Sequence, residues 1–191
     1  FTEPHYKMLW AEDIPIIEEI NDNGNKSRIM LVVGKYKDIN AMEPAPASWA
    51  HDEKNLVNIW VVTLEPGASL EIPMVNSTIS RNLYVYEGEA LNINGENVNA
   101  LSRFKLDGNK RITVVNGEKT SHMLLLEGEP INEPVVSYGP FVMNTMDEIK
   151  QAMSDYRATG FGGWPWDRND PVHSGEKTRF AKYADGTIEK R

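Results

Sequence analysis

Turn signals recur roughly every ten residues along most of this chain, with apolar runs between them too short to be helices. Ile29-Met30-Leu31-Val32-Val33 is ended by Gly34. Val57, Ile59, Val61 and Thr63 alternate with Asn58, Trp60 and Val62 until Pro66-Gly67 turns the chain. Leu70 and Ile72 follow, and Pro73 marks an edge strand or a strand end. After Leu83–Tyr86 and Ala90–Ile93 comes Asn94-Gly95, which favours a type I′ hairpin because both residues tolerate positive φ. Val98, Ala100 and Leu101 give a weak returning strand. Asp107-Gly108 and Asn116-Gly117 bracket another at Arg111–Val115, and Met123–Leu126 supplies a last long run. Such a chain folds as a mainly β, antiparallel sandwich or small barrel.

One stretch breaks the pattern. In Gly128 to Asn144, GEPINEPVVSYGPFVMN, two apolar runs flank a Gly139-Pro140 turn and lead into a helix. Thr145 is its N-cap, and Glu148 stands where its carboxylate can return to the cap N–H. Asp147 and Glu148 put negative charge at the positive end of the helix dipole. Ile149, Ala152, Met153 and Tyr156 form one apolar stripe, and Gly160 stops the helix.

This stretch resembles the signature near the C-terminal end of pirins, which are two-domain cupin (bicupin) proteins. Leu64–Pro73 and Leu83–Glu89 sit where a pirin's second cupin has similar motifs, and the tail GFGGWPW is similar to bacterial members. The resemblance runs from about Thr2 to Tyr156 and covers only the second half of a pirin. It implies a degenerate C-terminal cupin over residues 27–143, with an N-terminal arm at 1–26, an amphipathic helix at 144–159 and a Gly/Pro-rich aromatic arm at 160–191. It also implies that the iron ligands belong to an N-terminal cupin outside this chain. The intact protein would then be an iron-dependent dioxygenase of the quercetinase type, or a transcriptional co-regulator.

The residues agree with an absent metal motif. Cupin chemistry takes two histidines one residue apart on a strand, a nearby carboxylate and a later histidine, all directed inward. After Pro66-Gly67 stand Leu70 to Asn76 without a histidine, and His5, His51, His122 and His173 are scattered. Only His122 falls in a strand, where one face of Ser121-His122-Met123 can point inward. Glu87-Gly88-Glu89 and Glu127-Gly128-Glu129 pair acids across a glycine; acid–base work is conceivable, but solvated turns are the expectation. No catalytic residue, metal ligand or cofactor is expected in this chain.

Composition narrows the partners. A formal charge of −8 without a basic stripe argues against nucleic acid. No run approaches the roughly 18 apolar residues of a membrane span, and the start carries no signal-peptide pattern. It also lacks an initiator Met, which leads to the expectation that something has been removed upstream. The absence of cysteine fits a cytoplasmic protein. Of five tryptophans only Trp60 lies in a clear strand. Trp10, Trp164 and Trp166 sit in the arms, where such large apolar rings must be covered. Either they fold back on the domain, or they clasp the missing N-terminal cupin, another subunit or a different protein partner.

Overall fold

The computed structural model describes residues 2, 5–163, 178–183 and 185–191. The chain divides into two compact units, Phe1–Pro130 and Ile131–Arg191.

The first unit opens with β1 (Ile16–Ile20) and β2 (Lys26–Val33), a hairpin turned at Asn23-Gly24. Two short strands follow, β3 (Lys35–Tyr36) and β4 (Ile39–Asn40), and then 3-10 turns at Trp49–His51 and Glu53–Asn55. The remaining strands are β5 (Asn58–Leu64), β6 (Ser69–Ile72), β7 (Ser80–Glu87), β8 (Ala90–Ile93), β9 (Glu96–Asn99), β10 (Ser102–Leu106), β11 (Ile112–Asn116) and β12 (Ser121–Gly128). They form a six-stranded sheet in the order β1-β2-β5-β12-β7-β10 and a four-stranded sheet in the order β6-β11-β8-β9. Every pairing is antiparallel.

From β5 onward the chain passes repeatedly between the sheets, so neither can form its inner face without the other. Trp60, Val62, Leu83, Met123 and Leu125 from the larger sheet meet Leu70, Ile72, Leu91, Ile112 and Val114 from the smaller in one core. The period of two places these residues inward on each strand.

The turns follow the expected chemistry. Asn94 (φ 49°) and Gly95 (φ 91°) both take positive φ and join β8 to β9, as a type I′ hairpin requires. β6 is an edge strand that stops before Pro73. Two pieces of the larger sheet lie beyond the expected pattern. β10 was not marked by any long apolar run, and β1 orders part of the N-terminal arm.

The second unit contains the hairpin of β13 (Val136–Tyr138) and β14 (Phe141–Met143), turned at Gly139-Pro140, then α1 (Met146–Thr159). A further hairpin joins β15 (Phe180–Lys182) and β16 (Ile188–Lys190). The α1 N-terminus is a full capping box. Thr145 Oγ1 accepts from Glu148 N at 3.2 Å, and Glu148 Oε2 accepts from Thr145 N at 2.8 Å. Ile149 and Ala152 are buried, and Gly160 ends the helix in the left-handed region. The side chains of Phe141, Tyr156 and Phe161 meet edge to face.

Thr145→Ala is expected to cost about 1 kcal/mol of local helix stability, seen as roughly fivefold faster amide exchange in the first turn of α1. Thr145→Ser should leave exchange nearly unchanged. Asp147 adds a pH term: the hydrogen bond from Lys150, then that ammonium's charge, holds its carboxyl below the ordinary range. Its support is therefore complete above the unfolded carboxylate pKa and disappears as pH falls through the folded value. Lys150→Ala should raise the Asp147 titration midpoint followed by NMR.

Candidate functional site

The inward residues of β12 are Ser121, Met123, Leu125 and Glu127. The alternation that buries Leu125 therefore also carries a carboxylate into the interior. Arg81 on β7 and Asn58 on β5 are the register partners of Glu127 on its two sides. The Arg81 side chain is completely buried, and that of Glu127 is 2% exposed.

The three side chains interlock. Arg81 Nε donates to Glu127 Oε2 at 2.5 Å, and Arg81 Nη2 donates to the Pro73 carbonyl at 3.0 Å. Asn58 Nδ2 donates to Glu127 Oε1 at 2.6 Å, while Asn58 Oδ1 accepts from Lys35 N at 2.7 Å. Gly34 makes room for that amide. Its φ is +89°, and a Cβ there would lie 1.9 Å from Asn58 Oδ1. Removing one member of such a buried pair strands a charge, at a cost of roughly 3–5 kcal/mol, whereas replacing both with apolar residues is often near neutral.

Outside this cluster, Glu129 accepts from Asn76 Nδ2 at 2.6 Å and from Thr78 Oγ1 at 2.7 Å, and its carbonyl accepts from Trp49 Nε1 at 3.0 Å. The acids of Glu127-Gly128-Glu129 are thus not a solvated turn. One is a core ion-pair member and the other a loop tether. At Glu87-Gly88-Glu89 both carboxylates are exposed, and Glu89 pairs with Lys119.

Trp60 is the next inward residue of β5 after Asn58. It is 1% exposed and meets the edge of Tyr36 at 5.1 Å between centroids. The Tyr36 hydroxyl donates to Glu19 Oε2 at 2.9 Å. Burial, then that hydrogen bond, pushes its phenol above the ordinary tyrosine range. Among the described residues two buried side-chain donors lack any partner, Trp60 Nε1 and Arg81 Nη1.

The interior does not fit a transition metal. Beyond the Pro66-Gly67 turn, β6 presents Leu70 and Ile72 inward, both fully buried. His122 points out of the sandwich, since Ser121 and Met123 on either side point in. Its Nδ1 lies 3.1 Å from Thr63 Oγ1, and its ring stacks on Tyr86. His5 and His51 are exposed, and His173 lies outside the described residues. Among the described residues no three His, Asp or Glu side chains gather as a metal site. The inward carboxylate, Glu127, is already engaged by a guanidinium, whose fixed positive charge opposes a metal cation.

Of the tryptophans singled out in the arms, Trp10 is buried at 6% exposure, which leaves little of it for a partner. Trp164 and Trp166 lie outside the described residues. Arg81 was missed by reading the sequence. Arg81, Leu83 and Val85 share one alternation, as do Met123, Leu125 and Glu127, and a charge continuing an apolar face was the available signal.

Residues 59–162 match the family described as the Pirin C-terminal cupin domain. The chain belongs to the pirin family. The family match reaches from β5 past α1 and includes both Arg81 and Glu127. A pirin-like protein of Solanum lycopersicum is 32% identical over 158 residues, covering 81% of this chain and 50% of that protein. A Pseudomonas aeruginosa protein, provisionally named a quercetin 2,3-dioxygenase, is 29% identical over 157 residues, covering 80% of this chain and 51% of its own length. Among solved structures, a quercetin 2,3-dioxygenase from Acinetobacter baumannii superposes with a TM-score of 0.65 at 29% identity, covering 83% of this chain and 51% of that one. The chain spans about half the length of these relatives.

Arg81→Met is expected to destabilise the first unit by roughly 3–5 kcal/mol, and Arg81→Met with Glu127→Leu to recover most of that loss. Denaturant unfolding of both single variants and the double variant measures the coupling. Simple additivity would show that the pair does not act as a unit.

Proposed function

We propose that this chain is the C-terminal, non-metal-binding cupin of a two-cupin pirin protein, and that it serves as structural and regulatory partner to an N-terminal, iron-binding cupin. The observation that carries this reading is the outer face of the six-stranded sheet. Ile16, Met30, Val61, Leu124 and Tyr84 follow one another in register across five strands. The inner neighbours of these residues, Ile29, Val62, Leu83 and Leu125, are already core. The next outward row, Arg28, Thr63 and His122, is polar. But an antiparallel sheet with one face in water alternates apolar and polar residues, and a half-buried apolar row five strands wide on the outer face favours a covering partner.

The chain's span of about half its relatives supports taking a second cupin as the occupant. In this reading the intact protein uses iron in the other half for a quercetinase-type oxygenation of a small aromatic. This half shields and braces that site, and Trp164 and Trp166 are anchors toward it or toward another subunit. A protein-interaction role without chemistry is the second reading. It is favoured by the exposed Tyr156 and Phe161, whose rings meet in the second unit.

The rest of the natural gene product, expressed separately, is expected to co-elute with this chain. Leu124→Glu should weaken that association at least about tenfold, or roughly 1.4 kcal/mol. This chain alone, given Fe(II) and quercetin, should consume no oxygen. Turnover by the isolated chain would overturn the structural role. An intact gene product with the mass of this chain would leave the interaction module as the better account.

A further inference from the structure

Among the described residues the two unpartnered buried groups, Arg81 Nη1 and Trp60 Nε1, are both donors. They lie at consecutive inward levels of one sheet, Arg81 opposite Glu127 and Trp60 opposite Leu125. Arg81 engages Glu127 through Nε and the Pro73 carbonyl through Nη2, so Nη1 is the one guanidinium nitrogen without a partner. Whatever answers it must present an oxygen or another acceptor.

Charge decides which kind. Arg81 and Glu127 already cancel, and both side chains are buried. An anion added beside them would leave a net negative charge in the interior, where charge is strongly disfavoured. A neutral acceptor carries no such cost. Water suits the cluster also because it must donate in turn, and buried waters make about three hydrogen bonds. Glu127 accepts one bond at each oxygen from Asn58 and Arg81, and a carboxylate has about four lone-pair sites. The Pro73 carbonyl likewise has a second lone pair.

We propose that the Arg81–Glu127–Asn58 cluster is an internal hydration site in which a water molecule accepts from Arg81 Nη1. The ligand class is a neutral oxygen acceptor, and the ion pair is a hydrated clamp rather than a dry one. The site is independent of the two-cupin reading, since every residue in it belongs to this chain.

The test is a crystal structure of the full chain grown in sodium bromide, at a resolution that shows waters, with anomalous data. The expected result is a peak at about 2.7–3.2 Å from Arg81 Nη1 without bromide's anomalous signal. A bromide peak there would make it an anion site and overturn the proposal. An empty site, or Nη1 turned onto a protein carbonyl, would overturn it equally. The apolar double variant, Arg81→Met with Glu127→Leu, gives the second arm. Its peak should vanish while the strands stay in place, and a persisting peak would show that the water does not belong to Arg81.

Discussion

The ion pair between Arg81 and Glu127 ties together the two strands on which the larger sheet depends. β12 is hydrogen-bonded along both edges, to β5 and to β7, and Glu127 is its last inward side chain. A slip of one residue along either strand would turn one charge outward and leave the other buried without its partner. Few register errors are costlier, because period-two alternation moves the whole apolar set at the same time. The pair therefore specifies alignment more than it adds stability, and the strands outside β5 and β7 inherit the register it sets.

Much of this architecture was legible in the sequence. The Asn94-Gly95 hairpin, the stop before Pro73 and the capped helix from Thr145 to Gly160 all rest on local chemistry, and local chemistry is read directly. The site was not legible, for a physical reason. Arginine and glutamate are ordinarily exposed, so Glu127-Gly128-Glu129 looked like a solvated turn, and only the pairing of β7 with β12 shows that the two charges answer each other. β10 escaped notice because Arg103 and Lys105 interrupt its apolar residues, and its place was set by pairing with β7. His122 was ambiguous for the same reason: alternation fixes its face only once Met123 and Leu125 are known to be core.

The polar cluster also supplies cross-strand ties of its own. A metal centre ties strands together through inward ligands, and its open positions make it reactive. Arg81, Glu127 and Asn58 join three strands, β7, β12 and β5, through hydrogen bonds instead. The guanidinium's positive charge opposes a dication beside Glu127.

The outside of the sheet is where the sequence is unusual. Ile29–Val33 and Met123–Leu126 are unbroken apolar runs in antiparallel strands, where one solvated face would require alternation. The inner half of each run is accounted for by the sandwich core. The outer half, including Met30 and Leu124, has no such account within the sandwich, and it belongs to strands pinned in register by the buried pair. A sheet with an apolar row on its outer face suits packing against another domain. The charge inside and the apolar row outside are then two parts of one arrangement: the first keeps in register the strands that carry the second.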